Sequence, residues 1–412
     1  MDEQENEIFN EGLVEIKVPK FEKVSSSAPV FYNPKMEFNR DISILALQTF
    51  QEEVDREINI CDVFGGSGIR AIRYKKEISD VGNVAVNDIS SLAIEQSLEN
   101  SIANDVEIDI YQHEANILLR ENRGIFDVLD IDPFGTTSYF VDSVGYSLKK
   151  DSLLCITATD TSALCGTYKE PCIRKYNAKP YKSEYCHENG IRILAGFVAL
   201  TIAKYKKYIE DIKLSHSSEH YMRLYIKINK GSANTDESLA NNIGYISHCK
   251  KCLYRSSIKV LANSIPENCP ICGEKLINAG PLWIGYLQNA DFINKMIQKI
   301  DEYNPDSHNN RLDENNNDIS NNPNKKHVNT EKKVLKLLNT CLEEADAPIT
   351  FYDIHLICRN LKISAPKLVD VMNMMKEEGF IATKTHFNPI GIKSDIDIVR
   401  LKEIVRYLSK NI

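Results

Sequence analysis

Five short β-rich runs alternate with helical patterns between residues 58 and 158, and this alternation narrows the fold more than any other feature. The runs are INICDV (58–63), NVAVN (83–87), IDIYQ (108–112), IFDVLDI (125–131) and SLLCITAT (152–159). Most are continuous apolar stretches closed by polar residues, as parallel strands covered on both faces are. The segments between them carry helical spacing. In SSLAIEQSLENSIAND, Leu92, Ala93, Ile94, Leu98 and Ile102 supply an apolar face. The rhythm predicts an α/β, doubly wound sheet, whose ligands sit beyond the carboxyl ends of the strands. Further on, HYMRLYIKIN (220–229) alternates Met222, Leu224, Ile226 and Ile228 and predicts a late, antiparallel strand.

The first run is followed at once by CDVFGGSGIRAIRY (61–74), which opens a helix. Gly65, Gly66 and Gly68 allow a tight turn and a close backbone approach that a Cβ would block. Asp62 closes the first strand, and Asp88 closes the next, where an acid meets ribose hydroxyls in nucleotide-binding units. The strict G-x-G-x-x-G spacing is absent because Ala71 stands at the last position, and no Lys-Ser/Thr pair marks a P-loop. An acid-x-x-Gly-Gly-x-Gly turn suits a ligand with adenosine and no pyrophosphate, which points to S-adenosylmethionine. Capping the helix that starts at SSLAIEQ is the competing role for Asp88. After the third run comes HEANIL (113–118), in which Glu114 can accept from an adenine amine and Ala115 leaves room for the ring. An ordinary loop into a helix reads the same way.

The fourth run ends on Asp132-Pro133-Phe134-Gly135. An acid here stands at the carboxyl end of a central strand, over the reactive part of a bound cofactor. An exocyclic amine on a nucleobase is planar and weakly nucleophilic, because its lone pair is delocalised into the ring. A carboxylate that accepts its N–H holds the amine, favours pyramidalisation and takes the proton as the new bond forms. Pro133 stiffens the turn, Phe134 offers a stacking face and Gly135 permits close approach. The same logic underlies the Asp/Asn-Pro-Pro-aromatic motif of other amino-group methyltransferases. In isolation the tetrapeptide is a common turn.

Two C-x-x-C knuckles, Cys249/Cys252 and Cys269/Cys272, are separated by sixteen residues. That spacing matches a closed four-thiolate zinc site, structural rather than catalytic because no position is left for water. The other seven cysteines are scattered and read as core or incidental thiols. No apolar stretch reaches the roughly eighteen residues of a membrane span, and the acidic MDEQENEIFNEG lacks the layout of a secretory signal. These features predict a soluble, cytoplasmic protein with reduced thiols. The net charge of −8 argues against a uniformly basic nucleic-acid binder, but the charge is uneven. Residues 1–60 hold 13 acidic and 6 basic side chains, whereas residues 161–258 hold 16 basic and 8 acidic. The middle of the chain can therefore meet a polyanion, or simply present a solvated lysine-rich surface.

Residues 304–329 contain ten asparagines and few apolar side chains, a composition expected of a flexible linker. Beyond it Thr330 can cap a helix carrying Val334, Leu337, Leu338 and Leu342. Ser364 can cap another, with Pro366 in its first turn and Gly379 past its end. The β-prone FIATKTHF (380–387) completes a winged-helix-like order. No internal repeat is present.

Several blocks together carry a family resemblance: VFYNPKMEFNRDIS (30–43), DVFGGSGIRAIRY (62–74), NDIS (87–90), DIDPFGT (130–136), YCHENGIRILAG (185–196), GPLWIG (280–285) and THFNPIGIKSD (385–395). On these the chain resembles the tRNA guanine-26 N2-dimethyltransferase family, particularly its archaeal members, from about residue 11 to the C-terminus. The resemblance implies a class I (Rossmann-like) S-adenosylmethionine-dependent methyltransferase sheet. A C-terminal α+β region follows, with a zinc-knuckle segment and a winged-helix-like module. The expected divisions are 1–240 for the methyltransferase domain, 241–303 for the zinc segment, 304–329 for the linker and 330–412 for the winged-helix-like part. It further implies that Arg40, Arg70, Asp88, Glu114 and Ala115 line the cofactor pocket and that an N-terminal segment containing Arg40 folds over it. The same resemblance implies the catalytic role for Asp132 and, as substrate, guanine 26 of tRNA, mono- and dimethylated at N2. At 114 the family pattern has aspartate and this chain has glutamate, a longer side chain for the same task.

YCHENGIRILAG lies in the basic stretch and reads as a helix with Ile191, Leu194 and Phe197 inward. That leaves His187 and Arg192 as candidates for RNA contact, alongside Lys169, Arg174, Lys175, Lys179 and Lys182 for phosphates. Packing is an equal alternative for His187. Two other functions compete: an amino-group methyltransferase acting on DNA or another RNA, and a non-catalytic RNA-binding protein that uses the sheet as a scaffold. A scaffold needs no combination of Gly65, Gly66, Gly68, Asp88 and Asp132.

Overall fold

A computed structural model describes residues 6–20, 30–259, 264–303 and 330–410 of the chain. The asparagine-rich 304–329 lies outside the described residues. The chain divides into two compact units. The first comprises Met1–Phe134, Tyr146–Ile156 and Asp291–Asn339, the second Gly135–Gly145, Thr157–Ala290 and Thr340–Ile412. No helix among the described residues is long and apolar enough to cross a membrane.

The first unit opens with an antiparallel hairpin, β1 (Asn6–Glu11) and β2 (Val14–Pro19), and a long helix α1 (Glu37–Val54). Then come β3 (Ile58–Asp62), α2 (Ile69–Glu77), β4 (Val81–Asn87), α3 (Ser91–Ala103), β5 (Asp109–Tyr111), α4 (Ala115–Glu121), β6 (Val128–Ile131) and β7 (Ser152–Ala158). These five strands, β3 to β7, run parallel in the order β5-β4-β3-β6-β7. All five β-rich runs of the sequence are strands. Ile58, Ile60, Val84, Val86, Leu129, Ile131, Leu153 and Leu154 are buried, as strands covered on both faces require. The chain enters at β3, runs outward to β5 and returns to β6 on the other side of β3. The topological switch point, where such sheets bind ligands, therefore lies between the ends of β3 and β6.

The second unit takes up most of α5 (Val141–Ser147), then α6 (Thr161–Leu164), α7 (Lys169–Tyr176) and the apolar helix α8 (Cys186–Ala203). A long antiparallel pair follows, β8 (Lys207–Ser218) and β9 (Tyr221–Lys230), which contains the strand expected from HYMRLYIKIN. After α9 (Ser232–Asn242) the strands β10 (Ile243–His248), β11 (Arg255–Lys259) and β12 (Ile277–Trp283) form an antiparallel sheet in the order β11-β10-β12. At the C-terminus a small sheet of Tyr352–Asp353, Asn388–Lys393 and Thr383–Thr385 packs with the helices Ile354–Leu361, Leu368–Glu377 and Ile398–Ser409. Ile357, Val371, Met375, Ile392, Leu401 and Val405 make its core, the winged-helix-like module read from the sequence. Ser364 caps nothing there. The helix begins only at Leu368 with Lys367 at its N-cap, because Pro366 bars its predecessor from helical angles.

Of the apolar face its spacing predicts, helix α3 fully buries only Ala93, and the rest of its inner face is polar. Leu92, Leu98 and Ile102 are 51%, 48% and 70% exposed, while Ala93, Gln96, Ser97, Asn100 and Ser101 are buried. The reason is what the helix packs on. Its inner face meets the glycine turn after β3 and the β2 strand, both of which present backbone polar groups. The Ser97 hydroxyl donates to the Gly66 carbonyl (3.1 Å) and the Asn100 amide to the Ser67 carbonyl (2.9 Å). On the other side Asn100 and Asn104 accept the backbone N–H groups of Lys17 and Glu15, both at 2.9 Å. Leucines would leave four such groups unsatisfied. Ser97→Leu is therefore expected to destabilise the fold by about 2 kcal/mol or more through overpacking against the turn. Leu98→Gln on the exposed face should stay within about 0.5 kcal/mol of wild type. Urea unfolding of the two variants measures this, and the opposite ranking would reinstate the apolar face.

Candidate active site

At the switch point three acids converge on one cation. Asp62 closes β3, Asp130 lies in β6 directly beside it, and Asp132 follows the end of β6. Arg70, in the first turn of α2, reaches back over the strand ends. It donates to Asp132 Oδ2 at 2.6 Å, to Ser43 Oγ at 3.1 Å and to Asn39 Oδ1 at 3.0 Å, and stands 3.6 Å from Asp130. The Tyr74 hydroxyl donates to Asp130 Oδ2 at 2.6 Å. Asp62 is buried, and its Oδ1 has no hydrogen-bond partner among the described residues. Burial lifts its carboxyl to about 7; Arg70 opposes the rise, and the charges of Asp130 and Asp132 add to it.

The glycine turn joins β3 to α2. Gly66 and Gly68 adopt φ of +56° and +78°, and a Cβ on Gly66 would lie 2.8 Å from the Phe31 carbonyl oxygen. The Gly66 N–H donates to Asp88 Oδ2 (3.0 Å), while Asp88 Oδ1 accepts from the Ser90 N–H (2.9 Å). Asp88 thus ties the turn to the end of β4, and the N-cap of α3 is Ser90. Glu114 is itself the N-cap of α4, accepting from the N–H groups of Asn116 and Ile117, and Ala115 behind it is buried.

Arg40 lies on α1 under the N-terminal hairpin. Its guanidinium grips the Glu11 carboxylate at 2.5 and 2.6 Å and donates to the Asn33 carbonyl at 3.1 Å. Glu11 also accepts from Arg73 at 2.8 Å. Burial by itself would raise this carboxyl, but the two guanidinium groups outweigh it and hold Glu11 below its usual range. Nothing in the acidic N-terminal sequence singled out Glu11. Only the Arg40 partnership reveals it.

The turn after β6 is held at its far side. Gly135, at φ +81°, donates its N–H to the Thr159 hydroxyl (2.7 Å) and accepts the Thr159 N–H (2.9 Å). Thr136 donates to the Tyr176 hydroxyl (2.8 Å), which in turn donates to Asp160 (2.7 Å). Phe134 is 55% exposed and meets Phe31 edge to face at 4.6 Å. Phe134 stands out in the sequence by its motif; Phe31 lies only within a block of resemblance, and Thr159 only at the end of the strand run SLLCITAT, with nothing to mark its partnership with Gly135.

In the second unit the two knuckles bring four sulfurs together, with Cys249–Cys272 and Cys252–Cys269 each at 3.5 Å. Backbone bonds from Leu253 to Cys249 and from Gly273 to Cys269 close the knuckles. Arg192 corrects an expectation. It is 3% exposed, paired with Glu188 and donating to the carbonyls of Trp283 and Gly285, so it serves packing and not RNA. His187 is half-buried, while Lys169, Arg174, Lys179 and Lys182 are exposed and Lys175 is paired with Asp160.

Because the Asp62 carboxyl rises from 3.8 to about 7, the folded chain keeps a proton there that the unfolded chain has released. This contribution to stability is complete below pH 3.8 and is lost as pH rises to about 7. Asp62→Asn is expected to flatten that fall and to raise the denaturation midpoint at pH 8. Parallel pH profiles for variant and wild type would mean that Asp62 titrates normally.

A family model described as N2,N2-dimethylguanosine tRNA methyltransferase matches residues 12–406. A tRNA (guanine(26)-N(2))-dimethyltransferase of Methanobrevibacter smithii is 60% identical over 412 residues, covering 100% of both chains. One of the same name from Methanothermobacter thermautotrophicus is 48% identical over 396 residues, 96% of this chain and 97% of its own. Among solved structures, the complex of Trm1 from Pyrococcus horikoshii with S-adenosyl-L-methionine superposes with a TM-score of 0.82 at 31% identity, covering 97% and 99% of the two chains. A sheet with its switch point at Asp62 and Asp132, continued by knuckles and a winged-helix-like module, thus has full-length relatives. This chain belongs to the N2,N2-dimethylguanosine tRNA methyltransferase family.

Proposed function

We propose that this chain transfers methyl groups from S-adenosylmethionine to the exocyclic N2 of guanine 26 in tRNA, once and then a second time, in the cytoplasm. The observation that carries the reading is Asp132, a carboxylate at the end of β6 beside the switch point, held by Arg70 and followed by an exposed aromatic ring. The cofactor, when bound, supplies a methyl group made electrophilic by the adjoining sulfonium.

The residues present fit that cofactor. The glycines of the turn let the backbone pack directly on Val86, Phe31 and Ser97, which keeps the turn tight at the strand ends, and the orphaned Asp62 Oδ1 is a buried acceptor suited to an ammonium group. Asp88 at the end of β4 would meet the ribose hydroxyls, Glu114 and Ala115 the adenine, and Arg40 and Arg70 the amino-acid end. Asp132 accepts an N–H of the guanine amine, orients its lone pair and takes the proton as nitrogen gains the methyl carbon. Arg70 keeps that carboxylate in one orientation, and Phe31 and Phe134 offer stacking faces for the base. Lys169, Arg174, Lys179 and Lys182 are exposed, which supports a role for them in meeting phosphates. We read residues 1–240 as the methyltransferase domain and 241–303 as the zinc segment, with the winged-helix-like part from 330 onward.

The four knuckle sulfurs suit zinc. Thiolates at tetrahedral positions around it stand about 3.8 Å apart, close to the 3.5 Å found here. Cys249, Cys252, Cys269 and Cys272 would hold the ion with no site open, so its role is to secure β10 and the segment that follows. Cys269→Ser should lower the melting temperature and the metal content together while leaving the chemistry of bound substrate intact; an unchanged melting curve with unchanged metal would exclude the site.

The function is tested by transfer of labelled methyl to an unmodified tRNA transcript. Wild type should yield N2-methylated guanosine, and replacement of guanine 26 should abolish the label. Asp132→Ala should lower kcat by about a hundred- to ten-thousand-fold with cofactor affinity nearly unchanged. Label on the altered transcript would move the target, and loss of cofactor binding in Asp132→Ala would make Asp132 a binding residue.

A further inference from the structure

We propose that Cys165, Cys186 and His187 form a second zinc site in the second unit, separate from the knuckles. Cys165 closes α6, while Cys186 and His187 are the first two residues of α8. Their ligand atoms lie within 4.8 Å of one another, with Cys165 Sγ 3.8 Å from His187 Nδ1. Sulfur and nitrogen ligands of a tetrahedral zinc stand about 3.6 Å apart. The 3.8 Å found here is close to that, and thiolate with imidazole is a donor set that suits zinc.

The histidine is set for the task. Around His187 Nδ1 stand the Cys165 thiol, at 3.8 Å, and the Ser217 hydroxyl, at 3.2 Å, both able to donate, so nothing in this contact set obliges Nδ1 to hold a proton and its lone pair can turn to an ion. Zinc entering the site displaces two thiol protons, and two thiolates with a neutral imidazole leave the site without net charge. The fourth position falls to a water or to the nearby Ser217 hydroxyl. Cys186 and His187 are only half-buried, which leaves the ion a way in.

A third cluster, Cys341, Glu344 and His386, looks alike and is not equivalent. There the Ser217 N–H is directed at His386 Nε2 (3.4 Å), which places the ring proton on Nδ1, hydrogen-bonded to Glu344. That imidazole has both nitrogens engaged and no lone pair to offer.

The test is zinc content per chain, by plasma mass spectrometry, of the full-length protein loaded with Zn2+ under reducing conditions and desalted. Cys165→Ser/Cys186→Ser should hold one ion fewer than wild type, and Cys341→Ser/Glu344→Gln should match wild type. Equal content in wild type and the first variant overturns the proposal, as does loss of an ion only from the second. Should the first variant fold poorly, His187→Ala gives the same comparison. Cobalt substitution then reads the ligands: the wild-type minus His187→Ala difference spectrum should carry thiolate-to-cobalt charge transfer. A difference spectrum without it, or a Cys165–Cys186 disulfide in the freshly loaded protein, contradicts the site.

Discussion

One guanidinium among three carboxylates organises the switch point of the parallel sheet. Asp62, Asp130 and Asp132 are placed together by the parallel pairing of β3 with β6, and their mutual repulsion in a dry setting is costly. Arg70 offsets it, and it can do so only because the turn from β3 into α2 is short enough to bring the first turn of that helix back over the strand ends. That geometry in turn demands left-handed backbone at Gly66 and Gly68, and small polar residues on the inner face of α3. The compensation is incomplete. Burial holds the Asp62 carboxyl up at about 7, and among the described residues its Oδ1 stays without a hydrogen-bond partner.

Much of this was legible in the sequence because it is written in local pattern. Short β-rich runs, most of them continuously apolar, marked all five parallel strands, glycine and aspartate marked the strand ends, and C-x-x-C spacing marked the sulfur cluster. These signals rest on short-range geometry, which spacing encodes directly. The C-terminal module was legible for the same reason, apart from a helix start displaced by Pro366.

What failed to show was everything that depends on the neighbour of an element and not on the element itself. Helix α3 has apolar residues in helical register, yet it packs its serines and asparagines against exposed backbone groups. Arg192 sits in a basic stretch, yet its charge is consumed by Glu188 and two carbonyls. Glu11 belongs to an acidic tail by composition and to a buried charge cluster by position. Each of these side chains also meets a partner remote in sequence (for Arg192 the carbonyls of Trp283 and Gly285, beyond Glu188 one turn away), and periodicity is blind to such partners.

The most direct test of the account is a double-mutant cycle on Arg70 and Asp132. It is read as the rate of a single methyl transfer to tRNA at saturating S-adenosylmethionine. If the guanidinium works by holding the carboxylate, Arg70→Met combined with Asp132→Asn will be no slower than Asp132→Asn alone. Losses that multiply in the double variant would mean that the two residues act independently, and would contradict the account.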